Sequence, residues 1–208
     1  SYRSAICQLQ SLDPGNRRSF RYKKVCSNIP GSRDHIDHHA NLSYPRDPKT
    51  FLCAVASFFH KYPDAKMKID FLGINRSVSD LVNELRLKDI VSEYPAMPYN
   101  DSLKMVKQYD VAVVLEAACE EGIFLPTKVG DYMQCGLNIW SISPSQGELH
   151  DLYLDEKISY FSDVENQADI ETTLEEVYKD FLENNLKKLF LCDEYLSKNV
   201  LQQYRKIL

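Results

Sequence analysis

At 208 residues, 44% of them hydrophobic and 26% charged, the chain is long enough to bury one substantial core and short for two. A formal net charge of -5 speaks against a surface devoted to nucleic-acid phosphates or anionic lipid. No stretch approaches the roughly 20 apolar residues that span a bilayer and no signal-peptide layout opens the chain. Six scattered cysteines without a Cys-x-x-Cys pair predict reduced thiols, so the expectation is a soluble cytoplasmic protein.

Residues 1–45 are poorly patterned. Turn signals at Asp13-Pro14-Gly15-Asn16 and Ile29-Pro30-Gly31 frame one candidate strand, Phe20 to Ser27. His35, His38 and His39 stand close together in this stretch, but no second ligand cluster accompanies them, and a solvated loop is the expected reading rather than a metal site. From Asp47 the pattern sharpens. Asp47 fits an N-cap and Pro48 a first helical position, and Phe51, Leu52, Val55, Phe58 and Phe59 recur at helical spacing up to Tyr62-Pro63.

Met67 to Leu72 then reads as a strand and Ser77 to Leu87 as a helix. Ile90 to Ala96 reads as a strand, and a helix capped by Asn100 or Asp101 carries Leu103, Met105 and Val106. Asp110 to Leu115 is a continuous apolar strand suited to cover on both faces. Pro126 opens a helix that stops at Gly136, Asn138 to Ile142 is a strand, Glu148 to Leu154 a short helix, and Ile158 to Phe161 an edge strand. Strands alternating with helices imply a Rossmann-like, doubly wound α/β fold with a mostly parallel sheet and helices on both faces. The core of this domain is expected at 46–165, with helices over 166–208 that break near Asn184-Asn185 and pack on it.

The segment from Asp110 to Ile142 carries the chemistry. Its loop, Glu120-Glu121-Gly122-Ile123-Phe124, leaves the carboxyl end of a strand and enters a helix at Leu125-Pro126. Unpaired backbone N–H groups and the positive end of the helix dipole favour a diphosphate there. Thr127 adds a hydroxyl and Lys128 a positive charge, while Asp131, three residues on, shares the face of Lys128 and can accept from a ribose diol. Each feature alone has a plainer explanation, as helix punctuation or a solvated ion pair. Their ordered co-occurrence in an alternating α/β pattern favours a site.

These residues resemble the donor site of the GT-B glycosyltransferases, in particular family 4 and its relatives with a proline-Ser/Thr-lysine helix start. Weaker likeness extends to Tyr44-Pro45-Arg46-Asp47-Pro48-Lys49, to Ile69 through Gly73 and to the Pro98-Tyr99-Asn100 turn. The resemblance implies that the chain is the nucleotide-sugar-binding half of a two-domain hexosyltransferase, retaining in stereochemistry, without cofactor and without metal. It also implies that the chain, which opens at Ser1, is part of a longer protein and inactive alone. A carbohydrate or glycolipid acceptor would sit on a separate N-terminal domain, and the full-length protein could associate peripherally with the inner membrane face.

Carried onto this sequence, Asp131 would hold the ribose of a UDP- or GDP-linked sugar, and Thr127 and Lys128 would approach the diphosphate. Gly122, Ile123 and Phe124 would offer backbone N–H groups ahead of Leu125-Pro126, and Glu121 or Glu120 would contact the sugar. Glu121 and Lys128 are the catalytic candidates, and Arg46 is a candidate phosphate ligand. Two departures stand out: an aspartate replaces the family's second glutamate, and Glu121 precedes it by ten positions, farther than in the family. They motivate an alternative, a nucleotide-binding or interaction module that kept the fold without turnover. A receiver-like or dinucleotide-binding protein ranks last, since no G-x-G-x-x-G follows a strand.

Overall fold

The computed structural model describes residues 46–73 and 77–187, together with the backbone of 7–11. Its elements are β1 (Cys7–Ser11), α1 (Lys49–Lys61), β2 (Met67–Leu72), α2 (Ser79–Glu84), β3 (Val91–Tyr94), α3 (Tyr99–Val106), β4 (Val111–Leu115), α4 (Thr127–Cys135), β5 (Asn138–Ser143), α5 (Glu148–Leu154), β6 (Tyr160–Asp163) and α6 (Gln167–Leu182). They form one six-stranded sheet in the order β3-β2-β1-β4-β5-β6. Five strands run parallel; β1 lies antiparallel between β2 and β4. The carboxyl ends of β2 to β6 therefore all open on one side, where ligands sit in such sheets.

Local chemistry explains the boundaries. Asp47 Oδ1 accepts the N–H of Lys49 at 2.9 Å and the Pro48 carbonyl accepts that of Leu52 at 2.9 Å, which starts α1. Pro63 then disfavours helical geometry at Tyr62 and ends it. At the end of α4, Gly136 takes a left-handed φ of 70° and the N–H of Leu137 reaches back to the Tyr132 carbonyl at 3.1 Å, a Schellman-type stop. All five residues of β4 are buried, as a strand covered on both faces requires.

The helices divide between the faces. Phe51 on α1 meets Trp140 of β5 edge to face at 5.8 Å, and Phe58 meets Tyr178 of α6 at 5.3 Å. Trp140 is fully buried and its indole N–H donates to Ser162 Oγ at 3.0 Å, so the chain's one tryptophan is core, as expected. α3 packs against α4, and α4 against β4 and β5.

Several sequence expectations need correction. The central strand is Cys7–Ser11, whose two glutamines and serine give no hydrophobic signal; the candidate Phe20 to Ser27 lies outside the described residues, as do the three clustered histidines. Pro48 and Pro126 occupy the residue before their helices rather than the first position in them, and Pro98, not Asn100 or Asp101, precedes α3. The helix expected over 77–87 is confined to Ser79–Glu84, because Arg86 turns to a φ of 58°. The expected break falls at Asn184, with a φ of 55°; a second helix beyond it would lie mostly outside the described residues. Among the described residues no helix is long and apolar enough to cross a membrane.

Candidate nucleotide site

The first turn of α4 stands beyond the carboxyl end of β4. The i,i+3 spacing of Lys128 and Asp131 closes as an ion pair, Nζ to Oδ2 at 3.2 Å, with both side chains about one-fifth exposed (20% and 17%). A partner from another element joins them. Tyr99, the first residue of α3, donates its hydroxyl to Asp131 Oδ1 at 2.6 Å, and its ring lies 5.2 Å from Lys128 Nζ, within cation–π range. That hydrogen bond, with some burial, holds the tyrosine hydroxyl's pKa up at about 12. Thr127 is exposed beside the cluster.

The loop before α4 is anchored elsewhere. Gly122 forms a bridge with Gly147: its N–H donates to the Gln146 carbonyl at 2.9 Å and its carbonyl accepts the Glu148 N–H at 3.0 Å. The Gly122 N–H is thereby committed and is not a phosphate donor in this arrangement. Gly147 adopts a φ of 124°, and a Cβ there would lie 2.3 Å from the Gly122 oxygen, so only glycine fits. Beyond the bridge, Ile123 and Phe124 are 59% and 76% exposed, which leaves a short apolar edge at the mouth of the site. Leu125 is half-buried and Pro126 buried.

Two further residues complete the region. Glu116, directly after β4, is buried and continues the ladder by donating its N–H to the Ile142 carbonyl at 2.9 Å. Arg46 approaches its Oε1 at 3.4 Å, and a Cβ on Gly122 would lie 3.0 Å from its Oε2. Burial raises the Glu116 pKa while Arg46 opposes the shift. Arg46, expected at phosphate, is therefore engaged with a carboxylate beneath the loop. In the sequence Glu116 is marked only as a lone acid ending an apolar strand, and Tyr99 only as part of a turn.

Glu121 is exposed on the loop ahead of α4. It lines a cleft of about 480 Å³ with Ile123, residues 145–148, His150, Asp151 and Leu154. Glu121, Glu148 and Asp151 supply three carboxylates there, and no lysine or arginine lines it, a lining that offers a diphosphate no cation. The structure thus separates the two catalytic candidates: Glu121 belongs to this cleft, Lys128 to the Asp131 cluster. Among the described residues no group of three or more His, Cys, Asp or Glu side chains is placed to hold a metal ion.

The fold has counterparts among solved glycosyltransferases. Sucrose-phosphate synthase from Thermosynechococcus elongatus superposes with a TM-score of 0.52 at 14% identity, over 78% of this chain and 42% of that one. The pneumococcal O-GlcNAc transferase GtfA, solved in complex with UDP and GlcNAc, superposes with a TM-score of 0.55 at 13% identity, over 78% of this chain and 32% of that one. The chain has a Rossmann-like α/β fold of the GT-B glycosyltransferase kind and spans less than half the length of these two proteins. No protein-family model matches it, and no curated protein sequence matches it significantly.

Proposed function

We propose that the chain is the donor-binding domain of a glycosyltransferase that transfers a hexose from a UDP- or GDP-linked sugar to an acceptor hydroxyl. The observation that carries this reading is the Lys128–Asp131 pair on the first turn of α4, beyond the carboxyl end of a parallel strand in a glycosyltransferase fold. In this reading Asp131 accepts from the ribose diol. Thr127, Lys128 and the first N–H groups of α4 hold the diphosphate, with the amides of Ile123 and Phe124 beside them. Lys128 turns from Asp131 toward phosphate as the donor binds.

Catalysis would rest on stabilising the diphosphate as it leaves the anomeric carbon, which needs preorganised donors more than a proton relay. A second domain would bring a carbohydrate or glycolipid acceptor, and the family resemblance favours retention of configuration. Glu121 would contact the sugar only if the loop around Gly122 moved. Cytoplasmic location and peripheral contact of the whole protein with a membrane belong to the same proposal. Calorimetric titration with UDP and GDP tests it: Lys128→Ala and Asp131→Ala should each weaken binding about tenfold or more, and nucleotide binding indifferent to both would refute the site.

One observation favours a second reading, a nucleotide-binding module without turnover. Both predicted phosphate cations are already paired, Lys128 with Asp131 and Arg46 with Glu116. Tight nucleotide binding by the intact protein with no consumption of any nucleotide-sugar would select this alternative.

A further inference from the structure

Tyr99 has no part in the donor site proposed above, yet it touches both of that site's charged residues. It opens α3 on the turn that follows β3, a different strand from the one that delivers α4. Its hydroxyl is the short contact to Asp131 Oδ1, at 2.6 Å, and its ring lies beside Lys128 Nζ. Despite these two tethers the residue is 55% exposed, so the hydroxyl is fixed while much of the ring stays at the surface.

The geometry has a specific consequence for the carboxylate. An aspartate tied only to a flexible lysine on its own helix can rotate about its side-chain torsions. A phenol delivered from a second helix on a stiff ring removes that freedom, and does so on the oxygen the lysine does not use. Each carboxylate oxygen can accept two hydrogen bonds, so both keep a lone pair for a vicinal diol. The phenol donates and the carboxylate accepts, and this hydrogen bond pushes the phenol's pKa up to about 12.

Resting on the donor-site reading, we infer that Tyr99 is a positioning residue for ribose recognition, holding the Asp131 carboxylate so that the site selects ribonucleotides over 2′-deoxyribonucleotides. A tyrosine that merely joined α3 to α4 would make no such distinction, since its removal would weaken both classes of nucleotide alike.

The test is a calorimetric comparison, on the 208-residue chain, of UDP and GDP with their 2′-deoxy counterparts. The wild-type chain should favour the ribo form by about tenfold, the order of one hydrogen bond to a charged group. Tyr99→Phe keeps the ring and should lower that preference to about threefold or less, with Tm and the affinity for inorganic pyrophosphate unchanged. Tyr99→Ala should lower the preference as far. Asp131→Ala should abolish it. If UDP or GDP binds through Asp131 but the preference is unchanged in Tyr99→Phe, the role given to Tyr99 is overturned alone; if the preference is absent in the wild-type chain, the ribose contact given to Asp131 falls with it. If neither nucleotide binds, or binding ignores Asp131, the donor-site reading falls with it.

Discussion

The two ends of β4 each carry an acid and treat it differently. At the carboxyl end Glu116 is buried under the Gly122 loop with Arg46 at 3.4 Å, so a cation offsets part of the cost of burying its charge. At the amino end Asp110 has no such help. Its Oδ2 is buried with no hydrogen-bond partner among the described residues, Asn138 Nδ2 donates to its backbone carbonyl at 2.8 Å, and burial pushes its carboxyl up to about 7. The strand between them is apolar throughout. The difference shows how one strand can carry two kinds of acid: at the end where ligands are expected the buried carboxylate faces a cation, and at the other end burial without a partner raises the carboxyl's pKa to about 7.

The largest way to break this arrangement is at Gly147. Gly147→Ala forces a Cβ to 2.3 Å from the Gly122 oxygen at a φ of 124°, and should cost about 3 kcal/mol in urea denaturation while displacing the loop. An unchanged midpoint would mean that the bridge does not fix the carboxyl end.

Asp110→Asn addresses the other end through pH. Asp110 holds its proton up to about 7 when folded and releases it near 4 when unfolded. Between those values the folded state binds more protons, so stability should fall as pH rises from about 4 to 7 and level off above. The asparagine variant should flatten that slope and gain on the order of 2 kcal/mol at pH 8. Denaturation curves at pH 5 and pH 8 are the check, and parallel curves for the two proteins would contradict the assignment.

Smaller effects sharpen the contrast. Glu116→Ala, which leaves Arg46 without its partner, should cost about 2 kcal/mol, and Glu116→Gln less than about 1, because the amide can still accept from Arg46. Gly130→Ala is the counterpart of the Gly147 change: nothing lies within 4 Å of its Cβ position in α4, so it should stabilise by about 0.5–1 kcal/mol.

The elements from α1 to α6 were legible because their signals are local. Apolar residues at helical spacing give α1, a continuous apolar run gives β4, and Gly136 marks the end of α4. β1 was hidden because Cys-Gln-Leu-Gln-Ser lacks the continuous apolar run that marks a buried strand, and its place between two neighbours is visible only in the backbone pairing.

Within the candidate site, the Lys128–Asp131 contact followed from helix geometry alone. The roles of Tyr99, Glu116 and Gly147 could not be read the same way. Each is set by a residue 25 to 70 positions away, Asp131, Arg46 or Gly122, and a spacing that long carries no periodicity. Arg46 is the plainest case: it reads as a free cation in the sequence and proves to be the partner of Glu116 in the fold.

The most direct measurement of the central claim is an amide chemical-shift map of the 15N-labelled chain as UDP or GDP is added. The largest shifts are expected on Ile123, Phe124, Thr127, Lys128 and Asp131, with Tyr99 following and the amides around Asp110 unmoved. Shifts confined to 145–151 in the acidic cleft, or to the amino end of β4, would contradict the claim.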